Sequence, residues 1–107
     1  MIPILIVGGT PEERGAKAEE ITRNSQLAVN NFNTLTLESS ASIGIDQIRT
    51  LQHRLSLKPL AGKGQKIALI QEAQNLTPEA QNALLKTLEE PPKQTQIILT
   101  EIGRAHV

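Results

Sequence analysis

The 107-residue sequence contains no cysteine, no tryptophan, no tyrosine and one phenylalanine, Phe32. Without cysteine there is no disulfide framework, no thiolate zinc site and no thiol nucleophile. Without aromatic rings there is no platform on which nucleic-acid bases stack. Any core must come from Ile, Leu, Val and Ala. Charge of one sign is also missing: eleven basic side chains balance eleven acidic ones. That excludes a broadly basic nucleic-acid binder but leaves room for a local patch. No apolar run approaches the roughly 20 residues needed to span a bilayer. No charged segment leading into a greasy one opens the chain. The expectation is a cytoplasmic protein with no membrane partner, either one small domain or part of a larger one.

What is present is a regular alternation of strand and helix signals. Ile2-Pro3-Ile4-Leu5-Ile6-Val7, stopped by Gly8-Gly9, reads as a strand buried on both faces. Thr10-Pro11-Glu12-Glu13 follows, with Thr at the N-cap, Pro at the first helical position and Glu three residues after the Thr. This capping box predicts a helix from about Pro11 to Asn24, weakened by Gly15. Asn33–Glu38 alternates polar and apolar residues, as a half-exposed edge strand does. Ser39–Ser42 reads as a turn. Ile45, Ile48, Leu51 and Leu55 then recur at helical spacing, with Asp46 early and Arg49, His53 and Arg54 later, charges that suit the helix dipole.

Pro59 is expected to stop this helix, and Gly62-Lys63-Gly64 to form a loop. Lys66–Ile70 is a second buried strand. Thr77-Pro78-Glu79 opens a third helix, with Ala80, Ala83, Leu84 and Leu88 on one face and Glu89-Glu90-Pro91-Pro92 at its end. Thr95–Thr100 is the last strand. The order β-α-β-α-β-α-β predicts a parallel sheet with helices on its faces. The last strand has no helix after it, so the sheet is expected to be incomplete at its C-terminal side.

A strand, two glycines and a helix are where a phosphate loop would lie. A working loop has the form G-x-x-x-x-G-K-[ST]. Counted from Gly8, Glu13, Arg14 and Gly15 fall on the last three positions; counted from Gly9, Arg14, Gly15 and Ala16 do. Neither register supplies the required residues. The capping box also leaves little loop to encircle a triphosphate, and Glu12 and Glu13 bring negative charge to where phosphates would bind. An ordinary strand-to-helix turn is the better reading, with Lys17 a solvated side chain.

Ile67-Ala68-Leu69-Ile70-Gln71-Glu72 resembles a Walker B strand, but Gln71 stands where an Asp would hold hydrated Mg²⁺. A neutral amide gives that cation no charge, and Glu72 is then one half of a strand-end polar pair. No nucleotide, metal or other cofactor is expected. His53 reads as a helix surface residue, and Glu89-Glu90 as a solvated helix end. Arg49, Arg54, Lys58, Lys63 and Lys66 form either a basic rim or a patch able to touch a phosphate backbone or a protein partner.

Two stretches carry a family resemblance. Ile43–Arg49 with Leu55–Pro59 is similar to the helix between the second and third strands of bacterial clamp-loader ATPases. Ala80-Gln81-Asn82-Ala83-Leu84-Leu85-Lys86-Thr87-Leu88-Glu89-Glu90-Pro91-Pro92 resembles, more specifically, the hallmark segment of the gamma/tau and delta-prime subunits of DNA polymerase III. The likeness runs from about Pro3 to Thr100.

The resemblance implies a three-layer α/β/α P-loop NTPase fold of the AAA+ type. It implies work in a ring of five subunits, with gamma/tau and delta as neighbours, that places the sliding clamp on primed DNA. With both nucleotide motifs degenerate, the chain is similar to the non-catalytic delta-prime type. The family's four-cysteine zinc module is absent, and the Ser-Arg-Cys arginine-finger motif, lid and collar belong beyond the fourth strand. Thr100 falls at the family's nucleotide-sensor position. The alternatives are a gamma/tau-type ATPase with an atypical loop, in which Arg14 or Lys17 replaces the P-loop lysine, and a free-standing AAA+-like adaptor. Ile102-Gly103-Arg104-Ala105-His106-Val107 has no periodicity and resembles one reading frame of a sequencing adapter. Residues 1–101 are therefore expected to be a partial ATPase-like domain and 102–107 a non-native tail.

Overall fold

A computed structural model describes residues 2–24, 34–38, 41–57 and 66–103. The helix stop at Pro59, the loop at Gly62–Gly64, part of the Ser39–Ser42 turn and the tail from Arg104 lie outside the described residues. The elements are β1 (Ile4–Val7), α1 (Pro11–Asn24), β2 (Thr34–Leu37), α2 (Ile45–Ser56), β3 (Lys66–Ile70), α3 (Pro78–Glu89) and β4 (Thr95–Glu101). A short 3₁₀ turn at Ala73–Asn75, not anticipated from the sequence, lies between β3 and α3. The four strands form one parallel sheet in the order β1-β4-β3-β2. β4, last in sequence, is inserted between β1 and β3.

Alternation along the central strands sorts their side chains to two sides. Ala68, Ile70, Ile97 and Leu99 face the side covered by α2 and α3, where Ile48, Leu51, Leu55, Ala80 and Leu84 complete the larger core. Ile67, Leu69 and Ile98 face α1, which brings Ala18 and Ile21. The result is the expected α/β/α layering.

The first strand differs from expectation. Ile4 and Ile6 pack toward α1, but Leu5 and Val7 are each 54% exposed. β1 lies at the sheet edge beside β4, and among the described residues the core under α2 and α3 is built on Ala68, Ile70, Ile97 and Leu99 and does not reach Leu5 or Val7. Among the described residues, β3 is the strand buried at every position.

Local chemistry explains where the helices begin and end. Thr10 N–H donates to Glu13 Oε1 (3.1 Å) and Glu13 N–H donates to Thr10 Oγ1 (3.0 Å), which is the capping box in full. Thr77 caps α3 by accepting from the Ala80 N–H (3.2 Å), with Pro78 at the first helical position. Ile43 N–H donates to Asn75 O (2.7 Å) and Thr77 N–H to Ile43 O (2.9 Å), lashing the approaches to α2 and α3 together. Farther along, Gln52 Nε2 donates to Ala83 O and Thr87 Oγ1, joining the same two helices.

Lys66 also departs from expectation. It is buried, not part of a basic rim: its ammonium donates to Leu55 O (2.6 Å) and to Leu57 O at the end of α2. A cation there satisfies carbonyls the helix leaves over. Burial pushes the Lys66 pKa down.

Candidate functional site

Parallel pairing brings the C-terminal ends of β1, β3 and β4 to one rim of the sheet. Val7 stands opposite Glu101, and Ile70 opposite Leu99. The residues that follow are Gly8-Gly9 after β1 and Gln71-Glu72 after β3, beside Thr100 near the end of β4. All five are sequence-nominated positions, and the fold gathers them at one place. A cleft of about 580 Å³ opens there, with Glu38, Gln71, Glu72, Asn75 and Thr100 in its lining. Two of those residues are acidic, and among the described residues no cationic side chain lines the cleft.

Arg14 holds the rim together. It lies one turn into α1, is 2% exposed, and points back under the loop. Nη1 donates to Gly8 O (3.1 Å) and Gly9 O (2.6 Å). Nε donates to Glu72 Oε2 (2.9 Å) and Nη2 to Glu72 Oε1 (2.5 Å), a bidentate ion pair. The pairing raises the Arg14 pKa. The Arg14 hydrogen bonds hold the Glu72 carboxyl below its usual range, against the opposing effect of burial.

Glu72 itself has φ 59° and ψ 59°, a left-handed conformation that costs a non-glycine residue about 1–2 kcal/mol. It is kept there by three contacts. Its N–H donates to Thr100 Oγ1 (2.8 Å), its carboxylate takes Arg14, and the Thr100 hydroxyl donates to Glu72 Oε2 (3.3 Å). The reading of Gln71-Glu72 as a mere polar pair is therefore corrected. Glu72 ties the end of β3 to α1 and to β4. Thr100 is buried, and its hydroxyl belongs to the same network.

The loop's own donors are largely taken. Gly8 N–H donates to Glu101 O (3.1 Å), Thr10 N–H to Glu13, Glu13 N–H to Thr10 and Arg14 N–H to Thr10 O (2.9 Å). Pro11 has no N–H to offer. A phosphate cradle needs several backbone amides facing inward; here it is the carbonyls of Gly8 and Gly9 that face a charged group.

The remaining nominated residues lie apart. Gly15 touches the cleft from α1. Lys17 is exposed and pairs with Glu20 (3.5 Å). Arg49 and Arg54 are exposed on α2, five positions apart and so on different sides of the helix. Lys58 and Lys63 fall outside the described residues. Among the described residues no cluster of three or more His, Cys, Asp or Glu could hold a metal ion. Likewise, among those residues no helix is long and apolar enough to cross a membrane. Sequence reasoning missed the Arg14–Glu72 pair. The available signal was spacing: Arg14, Ala18 and Ile21 fall on one helix stripe, and that stripe faces the sheet.

Comparison with known proteins gives the same fold. A family model described as DNA polymerase III, delta subunit, matches residues 7–107. The DNA polymerase III subunit delta' of Haemophilus influenzae is 36% identical over 69 residues, which cover 64% of this chain and 21% of that protein. The delta' subunit of Escherichia coli is 39% identical over 70 residues, covering 64% and 21%. The DNA polymerase III subunit tau of Bacillus subtilis is 37% identical over 65 residues, covering 61% and 11%. The crystal structure of a DNA polymerase III gamma subunit-related protein from Thermotoga maritima matches with a TM-score of 0.77 at 29% identity. That match covers 94% of this chain and 34% of the other. The chain spans about a fifth of the length of the delta' relatives. With the family model matching residues 7–107, the chain belongs to the DNA polymerase III delta subunit family, a clamp-loader relative with an AAA+-like α/β/α fold.

Proposed function

We propose that the chain is part of a non-catalytic, delta-prime-like subunit of a DNA polymerase III clamp loader. It acts by contact with gamma/tau and delta neighbours in a five-membered ring, and through that ring on the sliding clamp and primed DNA. The observation that carries the reading is the state of the β1–α1 loop. The N–H groups of Gly8, Thr10 and Glu13 are engaged, the two glycine carbonyls hold Arg14, and Arg14 is held in turn by Glu72. A triphosphate arriving there would find no cationic side chain in the cleft lining among the described residues, and would meet Glu38, whose charge repels an anion. Gln71 offers no charge to Mg²⁺ at the neighbouring strand end. Arg49 and Arg54, exposed on α2, together with Lys58 and Lys63, are the candidate contacts to DNA or to a ring neighbour.

A second reading has an observation of its own. The relatives include tau and tau/gamma subunits at 37% and 33% identity, and the family resemblance would put Thr100 at a nucleotide-sensor position. On that reading the chain belongs to an ATP-hydrolysing subunit with an atypical loop, and Arg14 or Lys17 must turn to the phosphates. Equilibrium binding of Mg-ATP to the full chain separates the two. The non-catalytic reading expects no saturable binding with or without a Mg²⁺ chelator. Saturable binding abolished by the chelator would overturn it.

A further inference from the structure

The loop after β1 has the opposite polarity from an anion site. Gly8 and Gly9 both adopt positive φ, +90° and +69°, which side-chain-bearing residues rarely do. In that conformation both carbonyl oxygens accept from one nitrogen of Arg14. Across from them the two carboxylate oxygens of Glu72 take the other edge of the same guanidinium. Four of the five N–H donors of the guanidinium are therefore matched by four acceptors on two sides. A planar fork spans both sides at once; a compact ammonium does not.

We infer that the Gly8–Gly9 loop and the end of β3 together form a guanidinium cradle, a cation site filled in cis by Arg14, whose filling sets the shape of the loop. The inference rests on the reading that this loop holds no nucleotide, because a triphosphate and the cradle would claim the same backbone. It goes further in naming what the site is built to hold. With the cation removed, two carbonyls and a carboxylate face one void with nothing to neutralise them, and the loop opens. With any planar guanidinium returned, the four acceptors are satisfied again. Because Glu72 is tied to Thr100, occupancy also governs the backbone at the end of β3.

The test is chemical rescue. Arg14→Ala is introduced in the full chain, and amide hydrogen exchange is followed across Gly8–Arg14. Exchange should rise on the order of tenfold over the unaltered chain. Millimolar ethylguanidinium should restore protection saturably, while ethylammonium at the same ionic strength should not. Equal effects of the two salts, or protection in the variant equal to that of the unaltered chain, would overturn the cradle. Should Arg14→Ala fail to fold, Arg14→Lys keeps the charge and most of the bulk but reaches only one side. It should fold with faster loop exchange, and unaltered exchange in that variant overturns the inference. The two claims fail separately. Mg-ATP binding by the unaltered chain counts against the nucleotide-free reading, whereas absence of rescue in a chain that binds no ATP counts against the cradle alone.

Discussion

On one side of the sheet, α2 and α3 cover Ala68, Ile70, Ile97 and Leu99 with Ile48, Leu51, Leu55 and Leu84. On the other, α1 lays Ala18 and Ile21 across Ile67, Leu69 and Ile98, and its first turn ends in a buried arginine. The first side is held by apolar area, which is non-directional and spread over many residues. The second has a thinner apolar layer and depends on directed hydrogen bonds between Arg14, Glu72 and two glycine carbonyls. The difference separates what fixes the fold from what fixes the site. α3, which carries the Ala80–Pro92 segment similar to the clamp-loader family, belongs to the first side. The loop that decides what can bind at the sheet rim belongs to the second.

The comparison breaks most visibly if the apolar side is cut. Ile48→Ala or Leu55→Ala removes a side chain almost wholly enclosed, and each should cost about 2–5 kcal/mol in denaturant unfolding of the full chain. A loss below 1 kcal/mol would mean the α2–α3 side is not the main store of stability. Next in size is Glu72→Gln, whose effect should carry a pH signature that no apolar substitution shows. The folded Glu72 pKa lies below the ordinary value of 4.5. Its contribution is therefore present in full above that value and is lost as pH falls through the lower, folded value. The stability gap between the unaltered chain and Glu72→Gln should stay level at neutral pH and close only on the acid side. A gap that closes on the alkaline side would assign the effect to another group.

Smaller effects sharpen the contrast. Thr77→Ala and Thr10→Ala each remove a helix cap and should each cost about 1 kcal/mol. Thr10→Ala alone should also speed amide exchange in the Gly8–Arg14 loop, because only that cap adjoins the Arg14 network. Smallest of all, Leu5→Thr and Val7→Thr alter side chains already half in water, and thermal melts should place each within about 0.5 kcal/mol of the unaltered chain.

The two sides were not equally legible in the sequence. On the α2–α3 side, helix spacing is enough: Ile45, Ile48, Leu51 and Leu55 announce the buried stripe, and Thr77-Pro78 announces the start of α3. The capping box at Thr10 and Glu13 was equally plain, because its partners are three residues apart. β1 was misread because a run of Ile, Leu and Val reports hydrophobicity, not place. Whether Leu5 and Val7 are covered depends on what packs over their face of the sheet, and α2 and α3 pack on Ala68, Ile70, Ile97 and Leu99 of the neighbouring strands instead. The Arg14–Glu72 pair, 58 positions apart, escaped for the same reason. Each residue falls at a position of a nucleotide motif that the sequence does not complete, and nothing local in the sequence pairs one with the other. Lys66 shows how charge misleads: a lysine beside other basic residues reads as a rim, yet its ammonium ends on the carbonyls of Leu55 and Leu57 inside the molecule.

The most direct test is a nitrogen-15 NMR titration of the full chain with Mg-ATP, following the Arg14 Nε–H and the amides of Gly8, Gly9 and Glu12. The account predicts a slowly exchanging Arg14 Nε–H and no saturable shift in any of these signals. Concerted, saturable movement of the Gly9 and Glu12 amides with loss of the Arg14 signal would mean that the guanidinium yields to a phosphate, and the account would be wrong.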